Sequence, residues 1–286
     1  MIKSMAVIFV TPFLVTSVTA LADVSINSND GGSLFFSGKL TGENIDANAW
    51  SKLYYISGSK KVDLSLQDRY YLENDAGSIS KKSPTGSYIL FYSVSGERVS
   101  LGDGTEKYVD RAYCSVIDMR NGCIVSDWDG EACGYDWLKN KDVLASSEDK
   151  DGDVFDFKAM RPSINIKSTQ QVIANKSSLE NMLRCEPLNK TNVNAYQFLL
   201  KANKEYSSSI NDNMLNYLLS LSEKEVKNKS MLFSKPHDNS QSKAYLIAGD
   251  KVRIIQTSTD GRWVNIGYIN KKNNTLIAWI KAVNLN

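Results

Sequence analysis

The sequence has little histidine, and that shortage excludes more than any other. His237 is the single histidine of the 286-residue chain. Zinc hydrolase sites built on several histidines are therefore excluded, and a Ser-His-Asp or Cys-His device would have to use this one residue. It stands in "SKPHDNS" beside Pro236, where a surface role is the plainer reading. There is no G-x-S-x-G and no phosphate-cradling glycine loop. Past residue 22 no run is apolar enough to span a bilayer, so no stable membrane insertion is expected. Cysteine is also scarce. Cys114, Cys123, Cys133 and Cys185 are spaced by nine, ten and fifty-two positions, which match no zinc signature.

What is present begins with "MIKSMAVIFVTPFLVTSVTALADV". Lys3 precedes a mostly apolar run, and Ala20-Leu21-Ala22 supplies a small-x-small cleavage pattern, so residues 1–22 read as a secretory signal peptide. A retained anchor is the alternative, disfavoured because Pro12 interrupts the run. Cleavage after Ala22 implies a periplasmic or secreted protein. In that oxidising compartment four cysteines imply two disulfides, with three pairings possible. Cys123–Cys133 would close a short loop and leave Cys114–Cys185 to tie a β domain to the helices that follow.

From Ser33 to about Trp137 the text is strand-like. "SLFFSGKL", "KLYYIS", "GSYILFYSV" and "RAYCSVIDM" are rich in β-branched and aromatic residues and punctuated by Gly, Asn and Asp. In "VIDMRNGCIVSDW", Asn121-Gly122 predicts a type I′ hairpin turn. After Pro162 the spacing becomes helical: "STQQVIANKSSLENMLR", "NVNAYQFLLKANKEY" and "INDNMLNYLLSLSEKEV" predict about three helices, with N-caps at Ser168 and Thr191. The expected architecture is α+β. Residues 23–157 form a disulfide-bearing antiparallel β domain, 158–228 a helical segment, and 229–286 a small β module.

That last module carries a resemblance. "LFSKP", "AYLIAGDKVRII", "GRWVNIGYI" and "AWIKAVNL", with turns at Ser234-Lys235-Pro236, Gly249-Asp250, Asp260-Gly261 and Lys272-Asn273-Asn274, resemble a bacterial SH3 domain over about the last fifth of the chain. The resemblance implies a five-strand SH3-like barrel used to recognise cell-wall peptide or a protein partner. Tyr245, Trp263, Tyr268 and Trp279 are its candidate groove aromatics, core filling being the competing role for each. With Val264 and Ile266 inward, Trp263 falls on the outer face beside Arg262.

Two acidic clusters hold the remaining candidates for chemistry. "DKDGDVFD" offers Asp149, Asp151, Asp153 and Asp156 at alternating positions, but Val154 and Met160 stand where a calcium loop needs Gly and Glu. "SDWDGEACGYDW" sets Asp127, Asp129, Glu131 and Asp136 beside Trp128 and Trp137, a thin basis for glycosidase chemistry. Both read better as solvated loops, so no catalytic residue, metal or cofactor is assigned. From Lys229 onward nine basic residues face three acidic ones, whereas 103–156 holds fourteen acidic and six basic, which favours an anionic partner for the last module. The leading expectation is an exported non-catalytic protein that binds peptidoglycan peptide or a protein, and no nucleic acid. The alternatives are a periplasmic inhibitor or immunity protein directed at a toxin or hydrolase, and an envelope hydrolase with a recognition tail.

Overall fold

The computed structural model describes residues 23–41, 49–66, 68–72, 81–129, 134–146, 153–164, 176–202 and 207–286. The expected signal peptide, the Ser168 cap, Asp149, Asp151, Glu131 and Cys133 lie outside them. Nine strands build the N-terminal sheet: β1 (Val24–Asn27), β2 (Gly32–Lys39), β3 (Ala49–Ser57), β4 (Lys60–Asp63), β5 (Arg69–Leu72), β6 (Lys81–Lys82), β7 (Tyr88–Ser100), β8 (Glu106–Asp118) and β9 (Cys123–Asp129). They are antiparallel in the order β1-β2-β3-β5-β7-β8-β9, with β4 beside β3 and β6 beside β7.

Strand periodicity explains which residues face which side. Leu34 and Phe36 of β2, Leu53 and Tyr55 of β3, and Ile89 and Phe91 of β7 bury into one core with Trp50, Tyr71 and Ile117. Tyr88 and Leu90, the alternate residues of β7, face the opposite side. There they meet Val116, Cys114, Trp128 and Phe157. That second side is covered by a three-stranded sheet of β10 (Tyr135–Trp137), β11 (Leu144–Ser146) and β12 (Val154–Phe155). The unbroken apolar run in "YILFY" follows from burial on both faces.

The hairpin at Asn121-Gly122 differs in its turn. Asp118 pairs with Cys123, so the connection has four residues rather than two. Among Met119 to Gly122 only Gly122 has a positive φ, of 75°, whereas a type I′ turn needs two such residues. A Cβ on Gly122 would also lie 2.5 Å from the Tyr55 ring.

Three helices follow: α1 (Lys176–Cys185), α2 (Val193–Ala202) and α3 (Ser207–Leu219). Asn192, not Thr191, supplies the carbonyl that receives the first α2 bonds, from the N–H groups of Ala195 and Tyr196. The expected disulfide pairing is overturned. Cys123 bonds Cys185, 62 positions away, because α1 lies along β9 rather than leaving the short loop to close on itself. Asn181 of α1 bonds both backbone groups of Ile124, at 2.8 and 2.9 Å, and Arg184 donates to the Gly122 carbonyl at 3.0 Å. This holds Cys185 against the start of β9. Cys114 is also disulfide-bonded, so its expected partnership with Cys185 is excluded.

The C-terminal sheet contains β13 (Glu223–Glu225), β14 (Ser230–Phe233), β15 (Gln241–Leu246), β16 (Lys251–Thr257), β17 (Trp263–Ile269) and β18 (Thr275–Lys281). Its order is β13-β16-β17-β18-β14-β15, an open sheet with β13 and β15 as edges. The last five strands sit where the turn residues put them, and Gly249, Gly261 and Asn273 all take positive φ. The first strand was unexpected. "SEKEV" reads as the end of a helix leading into a charged connection. In the fold α3 stops at Leu219, Glu223 pairs with Arg253 and Lys251 across the edge at 2.9 and 3.0 Å, and Val226 is fully buried. The sheet therefore starts before Lys229.

One face of this sheet packs Val252, Val264, Ile266, Ala278 and Ile280 with Val226, Leu232, Leu246 and Leu285. On its other face, Ile255 and Ile277 join Leu179, Met182, Tyr196, Leu199, Ile210, Met214 and Leu218 from the helices. At Gly267 a Cβ would meet Leu218 Cδ2 at 2.2 Å. The helices and the C-terminal sheet therefore share a core.

Candidate functional site

The helices cover only part of that second face. Trp263, Asn265 and Gly267 alternate along β17, and Ile277, Trp279 and Lys281 along β18, with Asn265 opposite Trp279 and Trp263 opposite Lys281. Leu218 covers Gly267, and Ile277 lies under the helices. Beyond them, Trp279 opens onto a groove of about 1130 Å³. Its apolar lining is Ile164, Ala195, Phe198 and Trp279. Phe198 is 52% exposed although it sits among the buried positions of α2, which leaves a large apolar ring on the groove wall.

The groove's polar groups are unevenly used. Glu186 accepts from the Ile164 N–H at 2.6 Å and from the Asn192 side chain at 3.3 Å. Asn192 spends its remaining capacity on the Pro187 carbonyl and the Asn189 N–H. Gln197, only 7% exposed, keeps its Nε2 without a partner. Lys201 and Lys235 also line the groove and make no ion pair among the described residues. Asn265 is fully buried, and neither of its side-chain polar atoms has a partner.

Past the Lys281 end lies a second hollow of about 360 Å³, lined by Asp238, Gly261, Arg262, Trp263, Lys281 and Val283. The face assigned to Trp263 is as expected, but its exposure is not. Trp263 is buried, edge-on to Phe233 at 4.7 Å and with the Lys281 ammonium over it at 5.5 Å. Alternation alone treats the outer face as open, whereas here β14 brings Phe233 across it. The cations of this hollow are largely neutralised. Arg262 bonds Asp260 at 2.6 Å and Lys281 bonds Asp238 at 2.6 Å. The Ser258 hydroxyl and then the Arg262 guanidinium bring the Asp260 carboxyl down to about 2.

The other expected residues are scattered. Tyr245 is half exposed on edge strand β15 under the Lys229 ammonium at 4.3 Å. Tyr268 packs partly against the opposite core. Thus the fold gathers Arg262 and Trp263 in one hollow and Trp279 in the groove next to it, and places Tyr245 and Tyr268 apart. His237 is exposed beside the short 3₁₀ turn at Asp238–Ser240. Of the acidic residues, Asp127 is held by Arg69 at 2.9 Å and Ser115 at 2.7 Å, Asp136 pairs with Lys81, and Asp153 accepts from Tyr135 at 3.2 Å.

Sequence reasoning missed the helical half of the groove. Gln197, Phe198 and Lys201 belong to α2, and only Phe198 left a signal, a large ring off the stripe set by Tyr196 and Leu199. Compared with protein families, curated proteins and solved structures, the chain matches none.

Proposed function

We propose that this chain is an exported, non-catalytic binding protein whose C-terminal SH3-like module recognises an extended cell-wall peptide or a segment of a protein partner. One observation carries the reading: the helices leave the end of the sheet face uncovered, and Trp279 and Phe198 wall a groove there. Aromatic faces supply large contact area at small entropic cost, and such rings dominate binding energetics where they close on a ligand. The module's SH3-like character rests on five strands and their turns in the expected order. The sheet stays open at β13 and β15, so the likeness is one of strand sequence rather than of closure. Export is supported by the signal-like N-terminus together with the Cys123–Cys185 disulfide, since such bonds persist in oxidising compartments.

A second reading, that of an inhibitor or immunity protein, has its own observation. Among the described residues, beyond Ser95 and before Arg111 the strands β7 and β8 pair only with each other, so they extend past the sheet as a two-stranded ribbon. Val99, Leu101 and Val109 are exposed along it, which suits a partner surface. Co-sedimentation of residues 23–286 with purified peptidoglycan tests the first reading, and a stoichiometric complex lost on Val109→Glu would favour the second.

A further inference from the structure

We infer that the groove between α2 and the C-terminal sheet takes a carboxylate-bearing peptide. The inference rests on the binding role proposed above and names its ligand chemistry. Three side chains of the groove offer donors that have no partner among the described residues. Gln197 Nε2 is buried and unpartnered. Lys201 and Lys235 line the same space and have no acidic partner among the described residues. The one acid of the lining, Glu186, has both oxygens engaged by Ile164 and Asn192.

A ligand that satisfies this set must bring acceptors and negative charge. A carboxylate is acceptor-only and forms stronger hydrogen bonds with ammonium groups than with neutral donors. A buried amide left unpaired is costly, and because Gln197 Nε2 has no exposed surface, a ligand oxygen pairs with it only once the side chain turns into the groove. Trp279, Phe198, Ile164 and Ala195 supply the apolar wall along which the neighbouring part of a peptide would lie. The second hollow is the weaker anion site, because Arg262 and Lys281 each have an acid beside them, Asp260 and Asp238. The carboxylate could be a chain terminus or an acidic side chain; both present the same chemistry.

The test uses the protein spanning residues 23–286 and three dansylated peptides: tetra-alanine with a free terminus, its amide, and an amidated version carrying one glutamate. Fluorescence anisotropy is read at low and high salt. The free acid or the glutamate peptide should bind at least about tenfold tighter than the neutral amide. Which of the two does so identifies the source of the carboxylate. Lys235→Gln, an exposed change, should reduce that preference several-fold, and Gln197→Leu should weaken the acid peptide while sparing the amide. Equal affinity of all three peptides, or a preference that survives both substitutions, overturns the inference. If all three bind equally and Trp279→Ala weakens all of them, the peptide-binding role stands and only the carboxylate assignment falls. If none binds, the assignment also falls, and the wider role is then judged on peptidoglycan alone.

Discussion

Gly267→Ala probes the contact on which the groove depends. Gly267 lies mid-strand in β17 between Arg253 and Ile277, and its φ is not in the positive range, so alanine suits the backbone. Relief of glycine's chain entropy favours alanine by roughly 0.5–1 kcal/mol. The space does not suit it. The new Cβ would meet Leu218 Cδ2 at 2.2 Å, Cδ1 at 2.7 Å and Cγ at 3.0 Å. Leu218 is fully buried in the helix–sheet core and cannot swing into solvent. Overpacking of this kind costs about 1–3 kcal/mol, so with the entropy gain subtracted the net loss should centre on about 1 kcal/mol and reach at most about 2.5 kcal/mol. For a chain of this size each kcal/mol lowers Tm by about 2–4 °C. Leu218→Ala alone should cost about 2–5 kcal/mol through the cavity it leaves. In that background Gly267→Ala should become neutral or stabilising, a coupling of at least about 1 kcal/mol. Urea and thermal unfolding followed by circular dichroism measure all four proteins. If Gly267→Ala costs the same in both backgrounds, α3 does not dock on this face and the groove beside it loses its support.

Three further outcomes follow from other parts of the molecule. Asn265→Leu should stabilise by about 1–3 kcal/mol in chemical denaturation, because it removes two buried polar atoms that have no partner; destabilisation would mean the amide has a structural role. Asp118 is almost wholly buried and bonds Arg120 at 2.7 Å and Arg161 at 2.9 Å. Burial, the largest single influence, raises its carboxyl, but the bonds from Arg120 and Arg161 together hold it below the ordinary value. A depressed acid contributes stability above its unfolded value near pH 4, and that stability is lost as pH falls through the lower folded value. Asp118→Asn should therefore cost roughly 3 kcal/mol at neutral pH, and unfolding titrations should show the gap to the wild type closing below about pH 4. Cys185→Ser removes a bond between residues 62 apart, for which the chain-entropy model gives roughly 4 kcal/mol. Mass mapping of a non-reduced digest should find the peptides of Cys123 and Cys185 linked.

The C-terminal strands were legible because each is bracketed by residues that must turn: Gly249, Gly261 and Asn273 mark three of the bends, and the runs between them have strand length. The N-terminal sheet was legible in "SLFFSGKL" for a different reason, alternation with one side buried. What the sequence hid was anything decided by two distant segments meeting. "TLIAWIK" is apolar on both faces, yet nothing in it says that helices cover Ile277 and leave Trp279 open. The buried state of Trp263 depends on Phe233 arriving from β14. In "SEKEV" a single apolar residue, Val226, marks an edge strand whose partner is almost thirty residues away, and the charges around it read as a solvated connection. The cysteine pairing failed likewise, because loop length favours Cys133 for Cys123 while the packing of α1 along β9 brings Cys185.

Quantitative co-sedimentation of residues 23–286 with purified peptidoglycan, comparing the wild type with Trp279→Ala and Tyr245→Ala, tests the central claim most directly. Trp279 walls the groove, whereas Tyr245 sits on the far edge strand. Loss of an aromatic anchor costs about 2 kcal/mol or more, roughly thirtyfold in affinity. The account predicts that loss for Trp279→Ala, with near-wild-type binding for Tyr245→Ala and unchanged thermal unfolding for both. Wild-type binding by Trp279→Ala, or loss confined to Tyr245→Ala, would contradict it.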